Sequence, residues 1–259
     1  MFILAFGTST SKPGKKSDPM MDLSIIIPAL NESRKIGRDV EIAASFLNES
    51  GFRGEVIVVD DGSSDDTAAE ARRAKVPASV GRIVIRLETN SGKGAAVRRG
   101  VMESRGAVVL YADSGTCVPY GNALPVINRI MAGDLDIALA SRCHRGSIIR
   151  RDRPWQRRLI SRLFRCAAVA VAGLPRWIND SQCGFKVYNG KAARELFADL
   201  STPGFLFELE IILKALRRGY RLEEFPIEWT CDLDSRLRPA AQAGRVLREL
   251  IRVRSTAKK

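Results

Sequence analysis

The hydrophobic positions of this chain fall in short uninterrupted runs separated by polar, turn-forming segments. LSIIIPAL (23–30), EVIVVDDGSSDDT (55–67), RIVIRLETN (82–90), AVVLYADSG (107–115) and DIALAS (136–141) each open on or contain one such run. Runs this short, bounded by Gly, Ser, Asp and Asn, read as strands buried on both faces. Between them the apolar spacing shifts to threes and fours, which predicts helices near 32–48, 66–75, the later part of 91–104, and 122–132. Strands alternating with helices at this interval predict an α/β fold: a mostly parallel central sheet flanked by helices, in a single domain. Ligands of such sheets sit at the carboxyl ends of the strands. The loops that fall there are 31–32, 60–61, 90–93 and 113–116.

Further along, apolar residues recur at 155, 159, 160, 163, 164, 167, 168 and 171, which predicts a helix with one continuous apolar face and arginines around the rest. GRVLRELIRVR (244–254) repeats that pattern. The expected organisation is a lead-in over 1–20 without periodicity, a folded domain over 21–238, and a basic amphipathic tail over 239–259.

Charge changes the picture because it is local. The net charge is +13, but residues 141–165 carry nine arginines against one acid, and residues 236–259 carry eight basic residues against one acid. The remainder of the chain is slightly acidic, so two patches face a negatively charged partner. Nucleic acid is a poor fit: aromatics make up only 7% of the chain, no recognition module is present, and the acidic loops would repel phosphates. A basic amphipathic helix can instead lie in the headgroup plane of an anionic bilayer, the other reading being that its apolar stripe packs on the protein's own sheet. The opening MFILAF is too short for a signal-peptide core, and no run approaches the ~20 residues of a membrane span. Five scattered cysteines and a single histidine argue against a zinc site and for free thiols. The expected setting is cytoplasmic and peripheral at a membrane surface.

Taken singly, the polar loops are ambiguous. Asp60-Asp61-Gly62-Ser63-Ser64 could be no more than a cap and turn. Ser91-Gly92-Lys93-Gly94 is too short for a Walker loop. In order, however, IIIPALNE, VVDDGSSDDT, NSGKGAAVRRG, YADSGT, SR, DSQCGFKVY and EFPIEW resemble the family 2 glycosyltransferases of the GT-A fold, which is Rossmann-like. The subgroup most similar makes dolichyl- or polyprenyl-phosphate mannose and glucose, and the resemblance covers about residues 22–238.

The resemblance implies transfer of a hexose from a UDP- or GDP-linked sugar to a polyprenyl phosphate, by single displacement with inversion. Pro28, Glu32, Asp60, Asp61 and Lys93 would line the nucleotide site, with Asp61 on the base. Two aspartates one residue apart normally close the fourth strand and hold Mg²⁺ or Mn²⁺. Here the segment reads Tyr111-Ala112-Asp113-Ser114-Gly115, so either Tyr111 or Gly115 stands where a carboxylate is missing. Asp113 alone would anchor the metal, more weakly. Asp180 matches an active-site aspartate, either orienting the acceptor or assisting deprotonation, and otherwise serving as a cap. Glu210 matches a supporting position, an ion-paired or solvated helix face being the alternative. Arg142, Arg151, Arg153, Ser235 and Arg236 would contact the acceptor phosphate. A soluble acceptor, or a non-catalytic homologue that binds nucleotide sugar as a scaffold, are the alternatives.

Overall fold

The computed structural model describes residues 21–151, 155–231 and 243–256. Its centre is a seven-stranded sheet in the order β3-β2-β1-β4-β7-β5-β8. The strands are β1 (Leu23–Ala29), β2 (Gly54–Asp60), β3 (Gly81–Arg86), β4 (Val108–Ala112), β5 (Ile137–Ser141), β7 (Phe185–Asn189) and β8 (Leu222–Pro226). A short parallel pair, β6 (Ile148–Arg151) with β9 (Glu228–Thr230), lies apart from it. Neighbours pair in parallel except β7, which runs antiparallel to both β4 and β5.

Why these segments are strands follows from how they divide the core. Ile25, Ile27, Val56, Val58, Val108 and Leu110 pack into one apolar cluster, while the alternate residues Ile26, Ile57, Val59, Val109 and Tyr111 pack into a second. Alternate side chains of a strand point to opposite faces, so the two clusters are the two faces of the sheet. Helices α1 (Ile36–Glu49), α2 (Thr67–Arg73) and α4 (Leu124–Met131) contribute to the first cluster. Helices α3 (Lys93–Glu103), α6 (Gly190–Ala198) and α7 (Phe207–Arg217) contribute to the second. The parallel α/β sheet predicted from the sequence is therefore present, and the reversed strand β7 is its one departure.

The structure divides the two basic amphipathic helices between the alternatives the sequence left open. Helix α5 (Trp155–Ala167), which continues as a π-helical turn over Ala168–Ala172, does not bury its apolar residues as one face. Phe164, Ala167 and Ala168 pack into the core, whereas Trp155, Leu159 and Leu163 are 65%, 48% and 61% exposed. Helix α8 (Ala243–Thr256) buries Leu250 and Val253 completely against the core, so that side of the tail packs on the protein itself. Among the described residues no helix is long and apolar enough to cross a membrane. The 1–20 lead-in, Arg153, Ser235 and Arg236 lie outside the described residues.

Candidate active site

The carboxyl ends of β1, β2, β4 and β5 lie along one edge of the sheet. Because β7 runs the other way, its beginning lies at that same edge, which brings Asp180–Gly184 to the loops of the parallel strands. The backbone locks them together: the Asp113 amide donates to the Gly184 carbonyl at 2.8 Å. Glycine at 184 leaves room for the Asp113 side chain, since a Cβ there would lie 1.9 Å from Asp113 Oδ2.

On the β1–β2 side, the residues expected at the nucleotide are tied into the loops. Pro28 is buried within β1. The amide of Glu32 donates to Thr67 Oγ1 at 2.8 Å, and its carboxylate pairs with Lys35 at 3.0 Å. Asp60 is fully buried; its Oδ1 accepts the Ser63 amide at 2.9 Å, and its Oδ2 lies 3.8 Å from Arg86 Nε. Asp61 accepts the amides of Ser91 and Gly92 at 2.8 and 2.9 Å, closing the 90–93 loop over the end of β2. Burial raises its pKa in spite of those two donors.

The centre of the edge is a charged group around Asp113. Lys93 Nζ lies 2.9 Å from Asp113 Oδ1 and 3.1 Å from Oδ2. The Tyr111 hydroxyl donates to Oδ1 at 2.6 Å. Burial opposes the charge of Lys93, but Asp113 and Glu208 outweigh it and its pKa is raised. Burial, reinforced by the Asp113 charge, raises the Tyr111 phenol well above its usual range, so it stays a donor. Beneath lies a fully buried ion pair, Lys186 Nζ to Glu208 Oε1 at 2.9 Å.

The two positions at which a second carboxylate could be missing differ in what they contact. Tyr111 points its hydroxyl at Asp113, whereas Gly115 sits at φ +95° in a loop whose amide donates to Asp39 at 2.7 Å. The tyrosine hydroxyl is thus the group that meets Asp113 from the strand, and Gly115 turns away toward α1. Asp39 also accepts from Thr116 Oγ1 at 2.6 Å, and so shapes the 113–116 loop from α1. The sequence carried one signal for Asp39: an acid between Ile36 and Val40 on the buried stripe of a helix needs a partner.

Asp180 and Arg142 form the third group. Asp180 Oδ2 accepts Arg142 Nε at 2.6 Å and the Arg142 amide at 3.0 Å, and Oδ1 accepts Nη2 at 2.7 Å. The side chains are 7% and 14% exposed, and the guanidinium lies 5.6 Å from the centre of the Trp229 ring. Burial alone would raise the pKa of Asp180; the charge and hydrogen bonds of Arg142 outweigh that and hold it below the usual carboxylate range. The adjacent Cys183 thiol is pushed up to about 12 by burial. Glu224 supports the pair by accepting the Asp180 amide at 2.7 Å. Arg151 ends β6 as an exposed side chain. Glu210 is not solvated: it is fully buried and accepts the amides of Ser201 and Thr202 at 2.9 and 2.8 Å, with Lys214 at 2.7 Å.

Among the described residues no group of three or more His, Cys, Asp or Glu could hold a metal ion. Asp113 is the carboxylate nearest that role, and both its oxygens already meet Lys93. A divalent cation favours several oxygen ligands. The side chains here do not form a dedicated cage for one.

A mostly parallel sheet with carboxylates and cations along the carboxyl edge of its strands is an arrangement that GT-A folds share with other α/β proteins. The Glycosyl transferase family 2 profile matches residues 24–197, and the chain belongs to that family. It is 31% identical over 258 residues to a dolichyl-phosphate beta-glucosyltransferase of Saccharomyces cerevisiae, covering 92% of this chain and 76% of that one. A Drosophila melanogaster protein of the same name is 32% identical over 238 residues, covering 88% and 72%. Glucosyl-3-phosphoglycerate synthase from Mycobacterium tuberculosis, solved with Mn²⁺, UDP and glucosyl-3-phosphoglycerate, shares the fold with a TM-score of 0.67 at 21% identity, covering 92% and 80%.

Proposed function

We propose that this glycosyltransferase moves glucose from a nucleoside diphosphate sugar, UDP- or GDP-linked, to the phosphate of a dolichyl-type polyprenyl lipid. The observation that carries this reading is the match along 92% of the chain to an enzyme named for that transfer.

The chemistry suits the site. A phosphomonoester with its second pKa near ~6 is mostly dianionic at neutral pH, so its oxygen needs no strong base to attack the anomeric carbon. The bond to the diphosphate breaks on the opposite side, giving inversion. Asp180, held ionised against Arg142, serves to aim that guanidinium and not to take a proton. Arg142, with Arg151 and the arginines beyond it, steadies the acceptor phosphate; Lys93 meets the donor diphosphate. Mg²⁺ or Mn²⁺ would find one carboxylate here, Asp113. The catalytic domain is taken as residues 21–238, with α8 of the tail packed against its core.

A lipid acceptor also requires contact with a surface. The exposed Trp155, Leu159 and Leu163 lie at helical i, i+4, i+8 spacing beside the exposed Arg162, and Ile148 on β6 is 52% exposed. That is an apolar stripe with cations alongside, the pattern of a peripheral contact with an anionic membrane.

The test is transfer of radiolabelled sugar into the organic phase, using anionic liposomes that carry polyprenyl phosphate and a panel of UDP- and GDP-hexoses. Label in lipid with a glucose donor is the expected result. Label only in water-soluble phosphate acceptors would favour a soluble acceptor, and nucleotide binding without turnover would favour a scaffold.

A further inference from the structure

The carboxylates around the donor edge are already committed. Asp61 holds the amides of Ser91 and Gly92, Asp39 holds Gly115 and Thr116, and Glu208 holds Lys186. Asp113, beside Lys93, faces outward, with a side chain 41% exposed. Its neighbour on the strand is a phenol that donates to it, not a second carboxylate that would share a metal. Lys93 spans both of its oxygens, and the carboxylate occupies the space that a Cβ at position 184 would take. A divalent ion would have to displace that ammonium or sit beside it, placing two cations against one carboxylate.

We propose that Lys93 is the resident cation of the donor site, meeting the diphosphate charge directly, so that this chain binds its nucleotide without a divalent metal. The inference rests on the nucleotide-sugar reading above. Asp113 holds the ammonium in place, and Tyr111 fixes the carboxylate by a hydrogen bond that neither adds charge nor removes it. When the diphosphate arrives, the ammonium is shared between Asp113 and the phosphate oxygens. When the anomeric bond breaks, the charge gathering on the leaving diphosphate falls on the same side chain.

Calorimetric titration of the full chain with UDP and GDP, in EDTA and in millimolar Mn²⁺, tests this. The affinity of the preferred nucleotide should agree within about twofold between the two buffers. Lys93→Met should weaken it by about tenfold or more in EDTA, with partial recovery in Mn²⁺ because Asp113 is then vacated; Lys93→Arg should stay metal-indifferent. Electron paramagnetic resonance of Mn²⁺ mixed with protein alone should show the free aqueous ion. Wild-type binding that is lost in EDTA and restored by Mn²⁺, or immobilised Mn²⁺ on the wild type, would overturn the inference while leaving the donor reading intact. Failure of both nucleotides to bind in either buffer would overturn the donor reading and this inference with it. Should Lys93→Met not fold, the wild-type comparison and the resonance spectrum decide the matter.

Discussion

Replacing Asp180 with Asn tests the deepest claim about the acceptor side, because it removes a charge while keeping the shape. The carboxylate takes three bonds from Arg142, at 2.6, 2.7 and 3.0 Å, in a pair that is almost wholly enclosed. An asparagine offers one oxygen and turns its NH₂ toward the guanidinium, leaving a buried cation with no counter-charge. Breaking a buried pair in this way costs ~3–5 kcal/mol. The Trp229 face retains part of the cation's stabilisation, which places the expected loss near the lower end, about 3 kcal/mol. For a chain of this size that corresponds to a melting temperature lower by roughly 6–12 °C. Differential scanning calorimetry measures the drop, and glucosyl transfer to lipid should be abolished while UDP or GDP still binds. The pH dependence has a definite sign. Arg142 depresses the carboxyl's folded-state pKa, so its contribution is fully present above the unfolded value near ~3.9 and disappears as pH falls through the lower folded value. The stability gap between wild type and variant should therefore close in acid. A variant that melts with the wild type would refute the buried-pair energetics, and normal turnover would remove Asp180 from the mechanism.

Three further outcomes are expected. Gly184→Ala forces a Cβ to 1.9 Å from Asp113 Oδ2, so the carboxylate must move; turnover should fall by about a hundredfold or more with the circular dichroism spectrum unchanged. Glu210→Gln leaves Lys214 without its counter-charge and weakens the grip on the Ser201 and Thr202 amides; chemical denaturation should register a loss of about 2–3 kcal/mol. Replacing Trp155, Leu159 and Leu163 together with Ser should cut binding to anionic vesicles by at least about a hundredfold in flotation assays while sparing nucleotide binding, and equal flotation of the variant would sink the proposed membrane face.

What could be read from the chain without its structure was what repeats or alternates. The five early strands and the helices between them announced themselves by period, and the loops after them by Asp, Gly and Asn at strand ends. The direction of β7 did not, because FKVYN is buried on both faces and its pattern is the same whichever way it runs. The split of α5 was hidden for a related reason: apolar residues at i, i+4 and i+8 look alike whether a neighbour covers them or not. Glu210 could be read as a solvated acid because nothing local shows that the 201–202 amides come back to meet it. The pairing of Arg142 with Asp180 spans 38 positions, and only the reversal of β7 brings the two together. That Tyr111 turns its hydroxyl onto Asp113 was equally invisible, since a strand residue's alternation gives its face and not its partner.

The antiparallel strand also imposes an order of events as the chain is made. Strand β4 pairs with β1 and β7, and β5 pairs with β7 and β8, so β4 and β5 never touch as sheet neighbours. Residues 23–112 can assemble four parallel strands from local crossovers, but no strand joins them to β5 and β8 until β7, which ends at Asn189, has left the ribosome. The segment that supplies Asp180 and Gly184 arrives immediately ahead of that strand. Nascent chains stopped short of it would hold a donor half without a partner, and the catalytic edge would come into being in the same step that closes the sheet.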